Sequence, residues 1–464
     1  METLSLEEVL KTDYKPRGVA SRLKWIVRRK IKNGEDPIPE IIGLELEKKR
    51  ALECLISGRG IKLVGPYGCG KTTFAKSILE LLREYHKYNE TFIPQDCPVQ
   101  EDALNIAYAA GLVKDVSGVR NVCPVCRKLY LDGNPRKRNV LKDVPVVKFE
   151  PTESKGFARV PPDAMPEDLV GSYNVRKLVE IGDPLDPEVF KHGKIGMASG
   201  GILFVNELGK LPERSQYTLL EASVEKRITP GKCRESFPVD FLLIADTNPE
   251  DEYNVNGAIN DRLISIPILD VGKENEIRIV KKEANSNNSP HVPRCFFDLA
   301  VDVVRELREK EEFPYVGIRA SIDAIKIAKA SAELEGREVV NPCDLKEGLV
   351  VAVLGRCRYE EYEDNYEELS ELVWEKFRDF KESSLQLYLR DIWADEGELL
   401  EKLEAVDWKN LKGLRKVLGK NFKRVEEVIR KFEGVELEEK VFEQVVGSYL
   451  QLFSLSSCED ELDK

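Results

Sequence analysis

The sequence is poor in histidine (3 residues), methionine (3) and tryptophan (4). It has no run near the roughly 18 consecutive apolar residues that a membrane helix requires, which argues against a membrane span. Its first residues, METLSLEEVLK, lack the basic-then-apolar order of a secretory signal. The expectation is a cytoplasmic protein. No protease dyad, nuclease carboxylate cluster or redox-cofactor motif is visible outside the segments discussed below, so chemistry of those kinds would have to come from a partner. Residues 1–359 also lack net charge. From residue 360 to the end there are 16 Lys+Arg against 28 Asp+Glu, a net of -12 that equals the charge of the whole chain. A neutral body exerts no global attraction on phosphate polyanions. The stripe Arg22, Lys24, Arg28, Arg29, Lys30 and Lys32 reads as one solvated helix face, and neither nucleic acid nor a membrane is expected as a partner.

What is present is a chain of 464 residues with 42% apolar and 33% charged residues, a globular composition long enough for about three domains at roughly 150 residues each. Six Gln and three His beside abundant Glu and Lys fit the composition of a heat-adapted protein. The ten cysteines are too sparse for a disulfide framework, and most are expected as reduced thiols. Cys123-Pro124-Val125-Cys126 has the spacing of a zinc knuckle and follows Cys97. Three ligands are thereby in hand for a possible Zn²⁺, with Asp96, Glu101, Asp102 and His86 as candidates for the fourth. The alternative is a loop of buried or idle thiols.

Ile61–Val64 is a short apolar run of the kind that forms a buried parallel strand. It leads into Gly65-Pro66-Tyr67-Gly68-Cys69-Gly70-Lys71-Thr72-Thr73, a complete GxxxxGK[ST] loop. The glycines let backbone N–H groups converge on phosphate oxygens, and a helix expected from Thr73 to Leu82 adds its N-terminal dipole. Lys71 is assigned to the β- and γ-phosphates, and the Thr72 hydroxyl to Mg²⁺. A second buried strand, Gly200-Gly201-Ile202-Leu203-Phe204-Val205, ends in the polar pair Asn206-Glu207. Glu207 is the candidate base for the water that attacks the γ-phosphate. A third, Phe241–Ala245, ends in Asp246-Thr247-Asn248-Pro249, where Asn248 is placed to orient the same water.

In this order, together with Asp261-Arg262-Leu263 and Gly317-Ile318-Arg319-Ala320-Ser321, these motifs resemble an AAA+ ATPase over about residues 36–357. Pro161–Gly171, Lys194–Ala198 and Leu211–Gln216 narrow the resemblance to the MoxR and magnesium-chelatase small-subunit branch, whose members carry a helix-2 insertion and a pre-sensor hairpin. The resemblance implies an α/β fold, a three-layer αβα P-loop core with a parallel sheet followed by an α-helical lid. It implies Arg262 as an arginine finger given to a neighbouring subunit, Arg319 as the sensor-2 arginine, and Ile41-Ile42-Gly43 as the linker against the adenine, with Ile42 counted in the nucleotide site. It also implies ATP and Mg²⁺ as cofactors, a homo-oligomeric ring, a hexamer by analogy, and a von Willebrand factor A domain protein or another client as partner.

Two departures stand out. The position that carries Asp in the family is Asn206, a neutral group where a Mg²⁺-bound water is expected, which points to slower or assembly-dependent turnover. Lys71 and Glu207 are 136 residues apart, so the core holds a long insertion at about 90–145, including the basic run Gly133–Arg138. The domain expectation is an N-terminal helical segment (1–35), a nucleotide-binding domain (36–270), a lid (271–357) and an acidic helical C-terminal accessory domain (358–464), whose stripe Trp374, Phe377, Phe380, Leu385 and Leu387 reads as core. The leading functional expectation is an ATP-hydrolysing remodeller. The alternatives are a subunit of a magnesium-chelatase-like metal-insertion complex, a nucleotide-gated scaffold with little turnover, and a nucleic-acid motor, which the charge distribution disfavours.

Overall fold

The computed structural model describes residues 3–113, 121–132, 142, 144–231, 233–268, 270–284, 290–310, 313, 315–356, 362–380, 414–419, 422–435 and 437–454. The run Gly133–Arg138, Leu385 and Leu387 lie outside them. The chain forms two compact units, Met1–Pro66 with Gly70–Asp270, and Tyr67–Cys69 with Val271–Lys464.

In the first unit, helices α1 (Val19–Lys32) and α2 (Glu45–Ile56) precede strand β1 (Ile61–Val64) and helix α3 (Lys71–His86). Helix α4 (Pro124–Tyr130), strands β2 (Phe157–Val160) and β3 (Gly201–Val205), helix α5 (Glu213–Glu225), and strands β4 (Phe241–Thr247) and β5 (Ile264–Pro267) follow. The five strands form one sheet in the order β5-β1-β4-β3-β2, and every neighbouring pair is parallel. Parallel pairing demands crossovers, and helices covering both faces leave the inner strands no solvent side. That is why β3 and β4 are buried at every position and read as unbroken apolar runs. Lys62, on β1, is the exception in the middle of this core: it is 1% exposed, and its ammonium donates to Glu252 and Asn260, the pairing a buried charge requires.

Helix α3 starts at Lys71, two residues before the sequence-based expectation, because Gly70 in the left-handed region (φ 89°) turns the loop straight into the helix. The insertion between α3 and β2 builds a small antiparallel sheet in which Pro145–Lys148 lies between Phe92–Pro94 and the N-terminal strand Thr3–Ser5. The first 35 residues are therefore not wholly helical: Thr3–Ser5 finds a sheet edge that no local periodicity announces. Two hairpins complete the unit. Gly171–Tyr173 pairs with Phe190–His192 around helix Val175–Ile181, and Arg227–Ile228 pairs with Phe237–Pro238.

The second unit contains helices α6 (Lys273–Ala284), α7 (Arg294–Arg308), α8 (Ile318–Leu334), α9 (Pro342–Leu354), α10 (Tyr362–Phe380), α11 (Phe422–Glu433) and α12 (Glu439–Ser454). One continuous core runs from Val280 through Phe296, Ala324 and Leu349 to Phe377, Ile429 and Tyr449, so the described residues after 358 share the interior of the helices before them. Two buried carboxylates pin this packing. Glu276, fully buried, accepts from Arg305 at 2.9 Å and Arg308 at 2.8 Å. Glu433 accepts from the Arg294 N–H at 2.9 Å, faces His291 at 3.2 Å, and accepts from the Tyr449 hydroxyl. Cys343 is disulfide-bonded, an exception to the expected reduced thiols.

Both ring nitrogens of His192 are buried without a hydrogen-bond partner among the described residues, and the ring meets Phe237 edge-on at 4.4 Å. Burial pushes the imidazole down to about 4. A folded pKa below the unfolded value of about 6.5 means its contribution is complete above pH 6.5 and is lost as pH falls toward 4, a change of about 3 kcal/mol. Thermal unfolding from pH 7 to pH 4 should therefore show His192→Leu gaining on the native chain as the solution is acidified; a pH-independent difference would contradict this.

Candidate active site

The carboxyl ends of parallel strands are where α/β sheets place their ligands, and the predicted residues of the first unit converge there. The Gly65 N–H donates to Thr247 O at 3.2 Å, which anchors the loop after β1 to β4. Gly68 and Gly70 have φ of 76° and 89°, values that favour glycine, and a Cβ built on Gly70 would meet nothing within 4 Å. The backbone is thus open on the side a phosphate would approach. Lys71 is 8% exposed. Its ammonium donates to Gly65 O at 2.5 Å, Pro66 O at 3.0 Å and the Asn248 amide oxygen at 2.9 Å. Asn248 is 2% exposed, and its Nδ2 is buried without an acceptor among the described residues. An orphaned amide donor and an ammonium, side by side at a glycine loop and a helix N-terminus, fit the oxygens of a polyphosphate.

Asn206 follows β3, and its amide oxygen accepts from the Arg159 guanidinium at 2.8 Å. Glu207 has φ of 52°; its N–H donates to Asp246 Oδ1 at 2.5 Å, and its carboxylate accepts from Lys210 at 3.0 Å. Asp246 is 3% exposed, and burial raises its pKa, opposed by the Glu207 N–H and by Lys71. Arg159, Asp246 and Lys210 were absent from the sequence-based site. A carboxylate inside an otherwise apolar strand end was a signal for Asp246. Nothing local pointed to Arg159, whose position depends on β2 lying beside β3.

Other predicted residues stand apart from this network: Thr72 and Ile42 are half-buried and Thr73 is exposed, whereas Pro66, also exposed, joins it through its carbonyl. Arg262, exposed in the turn before β5, makes no ion pair among the described residues. In the second unit, Arg319 is exposed in the first turn of α8. That unit includes the loop tip Tyr67–Cys69, where the Tyr67 ring meets Tyr315 at 5.8 Å and a Cβ on Gly68 would lie 3.5 Å from that of Arg319.

The cysteines form a second constellation. Cys97, Cys123, Cys126 and Glu101 are all buried, and their ligand atoms lie within 4.8 Å of one another. Burial pushes the Glu101 carboxyl up to about 8 and raises the Cys97 thiol. Of the other fourth-ligand candidates, Asp102 accepts from the Tyr14 hydroxyl and His86 packs against Tyr85 and Phe149.

A family profile described as the PrkA AAA domain matches residues 46–300, more than half the chain, and an AAA lid domain matches residues 309–373. The chain is similar to the magnesium-chelatase 67 kDa subunit of Heliobacterium mobile (24% identity, covering 62% of this chain and 42% of that subunit). It is also similar to a magnesium-chelatase subunit ChlI homolog of Methanocaldococcus jannaschii (23%, 73% and 90%) and to the chaperone MoxR1 of Mycobacterium tuberculosis (26%, 47% and 64%). Among solved structures, a complex of the magnesium-chelatase subunits BchI and BchD aligns at a TM-score of 0.35 and 18% identity, covering 72% of this chain and 98% of that one. The chain spans less than half the length of the Heliobacterium subunit. Among the described residues, no helix is long and apolar enough to cross a membrane.

Because Asn206 leaves a neutral oxygen beside Arg159, Asn206→Asp should pair with the guanidinium and add a negative charge at the end of β3. The Mg²⁺ concentration at half-maximal ATP turnover is expected to fall by about ten-fold, as read in a Mg²⁺ titration. An unchanged midpoint would show that this position does not govern the metal.

Proposed function

From the premise that this chain belongs to the PrkA AAA family and is an AAA+ ATPase of the MoxR and magnesium-chelatase type, we propose that it hydrolyses ATP at subunit boundaries of a homo-oligomeric ring, hexameric by analogy, to remodel a client protein. The observation that carries the reading is the contact of Lys71 with the Asn248 amide oxygen, with the buried Asn248 Nδ2 unpaired among the described residues.

On this reading the loop N–H groups from Gly65 to Thr73 bind the phosphates, and Lys71 exchanges its loop carbonyls for β- and γ-oxygens. Asn248 then uses its free N–H₂ group to hold the attacking water or a γ-oxygen, and Glu207 takes the proton of that water. Glu207 first has to leave Lys210, so the base is held back until the site fills. Mg²⁺, when bound with ATP, neutralises phosphate charge, with Thr72 and, through water, Asn206 as its protein partners. Arg262, exposed and without an ion pair among the described residues, is available to a neighbouring subunit's γ-phosphate. Arg319 acts as the lid's phosphate sensor, and Ile42 packs on the adenine.

A von Willebrand factor A domain protein as partner rests on the resemblance alone, and the cytoplasm as compartment on the sequence-based expectation. Zn²⁺ held by Cys97, Cys123 and Cys126 rests on the CxxC spacing and on the clustering of these thiols. The similarity to chelatase subunits supports a second one, in which this ATPase drives a metal-insertion complex.

Steady-state hydrolysis measured against protein concentration tests the assignment. Turnover per subunit should rise with concentration. Glu207→Gln should lower it by about 10²- to 10⁴-fold, and Arg262→Ala by about 10³-fold or more with ATP affinity nearly unchanged. Tight ATP binding without phosphate release at every concentration would instead favour a nucleotide-set scaffold. For the chelatase reading, stimulation by a tetrapyrrole is the expected result, and indifference to it removes that alternative.

A further inference from the structure

Resting on the reading that the three cysteines hold zinc, we infer that the insertion is organised around a closed four-ligand centre, Cys97-Glu101-Cys123-Cys126, with Glu101 Oε1 as the fourth ligand to Zn²⁺ and a structural rather than catalytic role.

The geometry distinguishes Glu101 from the other candidates. Its Oε2 is held by two donors, the Cys123 N–H at 3.0 Å and the Asn105 amide at 3.3 Å, while Oε1 faces the Cys97 sulfur at 3.9 Å. One oxygen is thus fixed by neighbours and the other is aimed at the sulfurs, the arrangement of an oriented monodentate ligand with its supporting shell. The Glu101 N–H donates to Cys97 Sγ at 3.5 Å, a contact that favours the thiolate. Cys123 caps α4 with Pro124 in the first turn, so Cys123 and Cys126 span one helical turn and present both sulfurs to the same point.

Tetrahedral zinc with Zn–S near 2.3 Å and Zn–O near 2.1 Å requires ligand atoms roughly 3.5–3.8 Å apart. Four ligand atoms that all lie within 4.8 Å of one another reach this by small side-chain adjustments. Cys97 and Glu101 are 6% exposed, Cys126 1% and Cys123 0%. All four positions come from the protein and none faces solvent, which is the form of a structural site; catalytic zinc keeps an open position. The same burial argues against a redox CxxC, whose reactive thiol has to be reachable. Three thiolates with one carboxylate suit zinc, whereas iron–sulfur clusters take cysteine or histidine.

The centre also reaches the N-terminus. Asp102, next to the ligand Glu101, accepts from Tyr14, and Leu6 and Val9 share the core that holds Cys97, Cys123 and Cys126. Its role is to bind residues 95–103, between the strand Phe92–Pro94 and the helix Leu104–Ala109, to α4 and to brace the apolar core on which the first residues pack.

The test uses the full-length chain expressed with zinc, its metal content determined by elemental analysis, and cobalt(II) as the optical probe. About one zinc per chain is expected, with tetrahedral cobalt bands and thiolate charge transfer. Glu101→Gln should lose zinc to a chelator on the order of 100-fold more readily, at least the effect of disturbing a ligand's supporting contact. Glu101→Cys, the variant that keeps four ligands if the amide form fails to fold, should retain the metal and raise the thiolate charge-transfer intensity by about a third. Zinc retained unchanged in Glu101→Gln, with no added intensity in Glu101→Cys, would overturn the four-ligand centre and leave the three-cysteine reading standing. A native chain that binds neither zinc nor cobalt would overturn both. Iron recovered in place of zinc would overturn the metal assignment.

Discussion

A buried ammonium needs oxygen partners, and the way Lys71 finds them organises the nucleotide end of the first unit. Its three acceptors are two carbonyls of its own loop and the amide of Asn248, 177 residues further along the chain. The contact therefore couples the loop after β1 to the strand beside it. It also directs the Asn248 amide oxygen to the ammonium and leaves the Nδ2 group without a partner among the described residues. The parallel sheet makes the contact possible: β1 and β4 are neighbours in register from Ile61 and Ile244 onward, so their carboxyl ends finish together and deliver the loop and the asparagine to one place.

The same constraint explains the neighbouring network. Burying β3 and β4 at every position leaves their polar ends as the places where charged groups can be accommodated. Asp246 meets the Glu207 N–H there, Asn206 meets Arg159, and Glu207 meets Lys210. The result is a site in which Lys71 and Glu207, two groups of the proposed chemistry, are each held by a neighbour. With the lysine and the proposed base both engaged with protein partners, the site suits the proposed assembly-dependent turnover.

The insertion follows a different rule. Its strands are three or four residues long and its helix α4 seven, too short to stabilise themselves by apolar burial. On the proposed zinc reading, Cys97, Cys123 and Cys126, with Glu101, would add a cross-link to the apolar core that these cysteines share with Leu6, Val9 and Phe92, and the N-terminal strand adds an edge strand to the small sheet.

Much of this was legible in the chain. The phosphate loop could be read because its chemistry is local: glycines at two positive-φ positions, a lysine and a threonine entering a helix, and an apolar strand before them leave few other structures open to nine consecutive residues. The strands ending at Val205 and Thr247 were legible for a related reason, since burial on both faces forces an apolar run. What no stretch of sequence determined was which distant groups would meet. Asp246 could be read as a strand end but not as the acceptor for Glu207. Arg159 became Asn206's partner only because β2 pairs with β3, Glu101 stood apart from Asp96, Asp102 and His86 only once the loop had folded onto Cys123, and Thr3–Ser5 became a strand only where Pro145–Lys148 offered it an edge. Local backbone preferences and burial periodicity act over a few residues and are written in the sequence; cross-strand register and loop closure join residues far apart, and only the tertiary structure decides them.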